Sequence, residues 1–189
     1  MRGPAYRGPA NRRPAAHHRV AYRLLAAGCA AAALLMSWLS APAVADDAAS
    51  APPTPRYPAG ASTFQANCSV CHQAKGTGNP ALAPPITAYP ARYATLAEGR
   101  KQLAMTVVNG MFGKIDVEQK SFDFRMPEFT QFDDATLATV LNFVIFDLDH
   151  ASEDTKPITA DEIAAERAHP VEGSAVREHR AKVLAALGL

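Results

Sequence analysis

Cysteine is scarce in this chain of 189 residues, with Cys29, Cys68 and Cys71 the only three. A zinc site assembled from two cysteine pairs therefore has no second pair to draw on. Residues 59–72 lack a β-branched run, which removes the strand that a thioredoxin-like Cys-x-x-Cys dithiol follows. Acidic residues are missing before Asp46. No basic stripe runs along the rest, so nothing argues for a nucleic-acid partner. No acid, base or nucleophile pattern stands beside the cysteines, which weakens the case for an enzyme.

What is present at the start is a leader. Arg2, Arg7, Arg12, Arg13, Arg19 and Arg23 precede an apolar run from Leu24 to Leu39, and Ala43-Val44-Ala45 supplies a small-x-small cleavage site. Residues 1–45 are expected to be a signal peptide, with the mature chain starting at Asp46. Leu24 to Ala45 is 22 residues, just long enough to span a bilayer, so retention as an inner-membrane anchor is the alternative. Pro42 and the small residues favour cleavage. Cys29 lies inside the apolar run and reads as a discarded residue rather than a lipidated one, and Arg12-Arg13 lacks the apolar continuation of a twin-arginine signal. Without the leader, thirteen basic side chains face eighteen acidic ones, a formal charge of −5. An acidic surface suits steering toward a positively charged partner.

The informative positive signal is Cys68-Ser69-Val70-Cys71-His72. Two thiols separated by two residues reach the two vinyl groups of one porphyrin, and the adjacent histidine presents an imidazole to the iron. The spacing predicts one covalent haem c, with His72 as an axial ligand. Covalent attachment of this kind happens outside the bacterial inner membrane, which agrees with the leader and predicts a periplasmic protein.

Along the mature chain, residues 46–58 (DDAASAPPTPRYP) are rich in Ala and Pro and read as a disordered linker. The haem domain is expected over residues 59–150. A first helix is predicted from Ser62 to the haem cysteines, and Gly76 to Ile86 is a loop. Thr95-Leu96-Ala97-Glu98 fits a capping box for a helix ending at Gly110. Lys114 to Pro127 reads as loop. Asp133 is a natural N-cap for a long helix whose Leu137, Val140, Leu141, Val144, Ile145 and Leu148 form one apolar face. Residues 151–189 form a helical C-terminal extension, with a helix opened by Thr159-Ala160-Asp161-Glu162 and another over Ser174 to Leu187. It has too few large apolar residues for a core of its own and is expected to pack on the haem domain or on a partner. The haem domain itself is small enough that the porphyrin has to form part of the core.

The second iron ligand is an open choice among Met105, Met111, Met126, His150, His169 and His179. Met126 is preferred because Arg125-Met126-Pro127 lies in a loop, where a flexible thioether reaches the iron without disturbing a helix. Met105 reads as helix core and Met111, after Asn109-Gly110, is the rival. His150 reads as a favourable charge at a helix C-terminus, and His169 and His179 as solvated side chains of the tail. An imidazole bound to a metal usually donates its other N–H to a carbonyl. Pro84 is the candidate acceptor, with Ile86 packing on the haem; the plainer reading is that Pro84-Pro85 only stiffens the loop. Tyr89, Tyr93 and Arg125 are candidates to bond the propionates.

Taken together, Gly60 and Phe64 before Cys68-x-x-Cys71-His72, the Pro84-Pro85-Ile86 and Met126-Pro127-Glu128-Phe129 loops, and a final helix carrying Phe143 resemble the class I (monohaem) cytochrome c family over about Ala59 to His150. The resemblance implies an all-α cytochrome c fold, helices wrapped round one covalent haem, with the first and last helices crossing through Gly60 and the aromatics. It implies His72 and Met126 as the axial pair, Pro84 as the carbonyl acceptor, and one-electron transfer. Residues 108–126 and Ile158 to Glu162 further resemble a subgroup found as haem subunits beside periplasmic dehydrogenases or reductases. Redox proteins of that kind, or a terminal oxidase, are the partners implied. Asp147-Leu148-Asp149-His150 departs from the aromatic-Gly-Asn turn of related chains. The alternative function is a haem enzyme or gas sensor with an open or labile distal site.

Overall fold

The computed structural model describes residues 53–189. The leader expected over residues 1–45, and residues 46–52 of the expected linker, lie outside the described residues.

Helix α1 spans Pro58–Asn67 and begins four residues before Ser62. Pro58 occupies the first turn, where its missing N–H has no helical partner to lose and its fixed φ suits the helix. The end of the expected linker is ordered as well. The Asp147 carboxylate accepts the backbone N–H of Arg56 at 2.6 Å and of Tyr57 at 3.1 Å, and these bonds hold the approach to α1 in place. Cys68 breaks the helix, and a single further turn, α2 (Ser69–His72), carries the rest of the haem motif.

Helix α1 packs across α5 (Asp134–Asn142). A Cβ on Gly60 would fall 2.2 Å from the carbonyl oxygen of Thr139, so the two backbones approach too closely for any side chain. One turn on, the Phe64 and Phe143 rings meet with centroids 5.4 Å apart. Asp133 caps α5 as expected, its side chain accepting the N–H of Thr136 at 2.7 Å. The predicted continuous helix does change its hydrogen-bonding pattern: Phe143–Leu148 is a π-helical stretch. The apolar stripe survives that change, with Leu137, Val140, Leu141, Val144 and Ile145 all buried.

Helix α3 (Pro90–Tyr93) leads into α4 (Ala97–Asn109), and here the expected capping box does not form. The Thr95 hydroxyl instead donates to the carbonyl of Arg92 at 2.8 Å, closing the preceding turn, while the Glu98 carboxylate bonds His179. Residues 114–127, read as loop, contain an antiparallel hairpin of β1 (Ile115–Val117) and β2 (Lys120–Phe122). Its two turn residues, Glu118 and Gln119, have φ of 48° and 66°, as a two-residue turn with both centres left-handed requires. Neither is a usual residue there. Burial of Ile115, Val117 and Phe122 against Tyr89 and Met111 fixes the ribbon instead. Among the described residues only this ribbon stands beside the helices, so the architecture is mostly helical, as the expected all-α cytochrome c fold requires.

The tail forms α6 (Ala160–Arg167) and α7 (Gly173–Ala186). Thr159 and Glu162 make the expected reciprocal capping box. Both helices pack on α4, and α6 also on α5. Ile163, Val176 and Val183 are fully buried there, so the extension completes a shared core, as its composition required. Arg100 clamps it with two 2.7 Å bonds to the Glu162 carboxylate and further bonds to the carbonyls of Lys156 and Pro157. The atypical Asp147–His150 sequence works as a fastener: Asp147 holds Arg56 and Tyr57, and Asp149 accepts the N–H of Ala91 at 2.6 Å. His150 stands exposed at φ 53°, just past the π-helical stretch. Among the described residues no helix is long and apolar enough to cross a membrane.

Candidate haem-binding site

A mostly apolar cavity of about 280 Å³ opens between α1, α5, the proline loop and the hairpin. A buried water needs only about 10–15 Å³ on the same measure, so the space is far larger than ordinary packing leaves. Cys68, Cys71, His72, Pro84, Ile86 and Met126 all line it. The kink between α1 and α2 turns the haem motif toward the cavity, and Val70, between the two cysteines, lies at its edge with 72% of its surface exposed.

The His72 Nδ1 lies 3.0 Å from the carbonyl oxygen of Pro84. A carbonyl only accepts, so Nδ1 carries the proton and Nε2 keeps its lone pair free for a metal. Burial lowers the pKa of His72, and the bond to Pro84 opposes that only in part, so the imidazole is held in the neutral form that ligation needs. Pro84 thus does more than stiffen its loop. Burial, with a smaller contribution from neighbouring Cys71, pushes the Cys68 thiol up to about 11. A thiol so reluctant to ionise is a poor dithiol-exchange nucleophile. Among the described residues no group of three His, Cys, Asp or Glu side chains is placed to hold a metal ion.

Of the rival axial ligands, the structure brings two methionines to the cavity. Met111 and Met126 both line it and face each other as an antiparallel bridge, the N–H of Met126 donating to Met111 at 2.8 Å and the reverse bond being 3.1 Å. Gly110, at φ 67°, makes that approach possible, since a Cβ there would lie 2.6 Å from the Met126 carbonyl oxygen. Met105 is buried in α4 away from the cavity, and His150 and His169 are exposed outside it. His179 was expected to be solvated but is not. Its Nδ1 lies 2.7 Å from the Gln102 side-chain oxygen and its Nε2 2.9 Å from the Glu98 carboxylate, which ties α7 to α4.

The three expected propionate partners sit at the cavity, together with a fourth residue not among those expected. Tyr89 and Tyr93 stack with centroids 6.2 Å apart, and the Arg125 guanidinium lies 4.8 Å from the Phe112 ring centroid. The fourth is Arg180 of α7. Its signal was in the sequence: in Gly173, Val176, Arg180, Val183 an arginine occupies the buried stripe of an amphipathic helix.

The residues fit a covalent haem. Two thiols at the right spacing, a neutral imidazole with its Nε2 free, a thioether and a large apolar slot are the donor set and volume that the group requires. A buried Tyr93 hydroxyl without a hydrogen-bond partner stands in the same slot. The comparisons with known proteins agree. A family model for cytochrome c matches residues 57–145. The chain is 31% identical over 120 residues to a cytochrome c-552 of Thermus thermophilus, an alignment spanning 62% of this chain and 92% of the relative. It is equally similar to a second cytochrome c-552, from a particular strain of the same organism, over 62% of this chain and 81% of that protein. The haem motif, the glycine-mediated helix crossing and these matches together establish that the chain belongs to the class I, monohaem family of c-type cytochromes.

Proposed function

We propose that this protein is an exported one-electron carrier, or the haem subunit of a periplasmic dehydrogenase, reductase or terminal oxidase, with His72 and Met126 as its axial ligands. The observation that carries the reading is the His72–Pro84 bond, which orients a neutral imidazole toward the cavity that Met126 also lines. A haem held there supplies an iron that gains and loses one electron. Around it, the chain provides rigidity. Gly60 locks the α1–α5 crossing, Pro84 fixes the His72 ring, and the Met111–Met126 bridge holds the methionine loop, so little has to move when charge changes. Two protein ligands leave no open position for a substrate. The leader and the −5 charge of the mature chain support export and a positively charged partner face.

The test is made on the full chain expressed with a haem-attachment system. Mass spectrometry of the exported product is expected to show one haem adduct and cleavage before Asp46. The reduced protein is expected to resist carbon monoxide at neutral pH. Met126→Ala is expected to open the site to carbon monoxide and lower the midpoint potential, since a thioether ligand raises it, while Met111→Ala leaves both unchanged. Rapid, complete carbon monoxide binding by the parent chain would favour an enzyme or gas sensor instead. Reversal of the two methionine phenotypes would move the ligand to Met111.

A further inference from the structure

Arg180 is a buried cation without an anion. It is 8% exposed, lines the haem cavity, and has its guanidinium 6.0 Å from the Tyr89 ring centroid. Among the described residues its guanidinium has one acceptor at hydrogen-bond distance, the carbonyl oxygen of Asp116 at a long 3.3 Å. Among the described residues no carboxylate forms an ion pair with it. Leaving a charge desolvated and uncompensated costs several kcal/mol, so such positions are normally completed by a partner of opposite sign. The neighbouring Tyr93 hydroxyl is buried beside the Arg180 guanidinium, which can only donate, so among the described residues its own proton has no acceptor. Burial raises its pKa against the influence of Arg180, so it stays protonated and available as a donor. One carboxylate entering the cavity would satisfy both groups.

Haem brings two such carboxylates. We propose that Arg180, with the Tyr93 hydroxyl beside it, is the counter-charge for a haem propionate, which makes the C-terminal helix α7 part of the haem site. This rests on the haem reading above. It goes beyond that reading because the family model for cytochrome c ends at residue 145, whereas α7 begins at Gly173. Residues that look like an accessory tail would then set a property of the redox centre. Arg180 is a positioning and charge-compensating residue, acting on the propionate and not on the iron.

The experiment compares the haem-loaded parent chain with Arg180→Gln, Arg180→Lys and Tyr93→Phe, following midpoint potential against pH by voltammetry alongside the adduct mass. Arg180→Gln is expected to keep the adduct but lower the midpoint, because an unneutralised carboxylate favours the more positive oxidation state. The pH at which the midpoint begins to fall should rise by about one to three units, the range by which a nearby cation holds a carboxyl ionised. Arg180→Lys should recover most of both shifts, and Tyr93→Phe should raise the pH step by less. A purely structural Arg180 would alter unfolding and leave the potential and its pH profile as in the parent, and that result overturns the proposal. Should Arg180→Gln fail to load haem, an unchanged pH profile in Tyr93→Phe overturns it equally. Absence of the adduct from the parent chain is the distinct result that would sink the haem reading itself.

Discussion

The side-chain amide of Asn142 is bonded at both ends to the backbone of Ile158: its Nδ2 donates to the carbonyl at 2.9 Å, and its Oδ1 accepts the N–H at 2.7 Å. The pair is buried and joins the last turn of α5 to the extended approach of the tail. Asn142→Ala strips two buried backbone groups of their partners, each worth roughly 1–3 kcal/mol. Urea unfolding followed by far-UV circular dichroism should show a loss of about 3 kcal/mol; a loss below about 1 kcal/mol would mean that the tail docks without this link.

Gly60→Ala is expected to destabilise the protein although alanine is the better helix former. Its methyl would meet the Thr139 carbonyl, part of a backbone that cannot rotate away. Forcing α1 from α5 should cost about 2–3 kcal/mol, in the range for overpacking a tight interface. Thermal melting of the haem-loaded variant checks this, and an unchanged or raised melting temperature contradicts the crossing geometry.

Acid should loosen the tail before the haem domain. Burial alone would raise the pKa of Glu162, but its bonds to Arg100 and Thr159 outweigh burial and hold it below the usual 4.5. The folded state therefore binds this proton less readily than the unfolded one, so the clamp's full contribution is present above about pH 4.5 and fades as pH falls through the lowered value. Protection factors of the α6 amides, which correct for the slower intrinsic exchange in acid, are expected to fall on acidification. Glu162→Gln should flatten that dependence, and an α6 profile identical in parent and variant would count against the clamp.

Blocking haem attachment should leave a poorly folded chain. At about 24 cal/mol per Å³, an unfilled cavity of 280 Å³ represents up to about 7 kcal/mol, comparable with the whole stability of a small domain. The double variant Cys68→Ala, Cys71→Ala is expected to lose its cooperative thermal transition. A sharp transition near that of the parent would show that the helices close the space without a porphyrin.

Legibility in the sequence followed the range of the physics. The haem motif, the Asp133 and Thr159 caps, and the apolar stripe of α5 are set by residues within a few positions of one another, and pattern alone sufficed for them. The ribbon at 115–122 escaped because its turn is Glu118-Gln119 and its packing depends on Tyr89, remote in sequence, as well as on nearby Met111. Thr95 had the right spacing for a cap and was diverted by the end of α3. His179 and Arg180 look like ordinary polar tail residues until α7 lies against α4 and the cavity. Cofactor chemistry was thus readable locally, whereas the residues that surround it were supplied by packing.

The bonds from Arg56 and Tyr57 to Asp147 have a mechanical consequence. A pull transmitted from the N-terminal side reaches this latch before it reaches α1 and the cysteines that follow. Tension is then shared with the π-helical stretch that carries Asp147 instead of running through the helix of the cysteines alone. A tether could therefore be spliced on ahead of residue 53 to immobilise the molecule on an electrode or a scaffold, with the latch taking part of the strain.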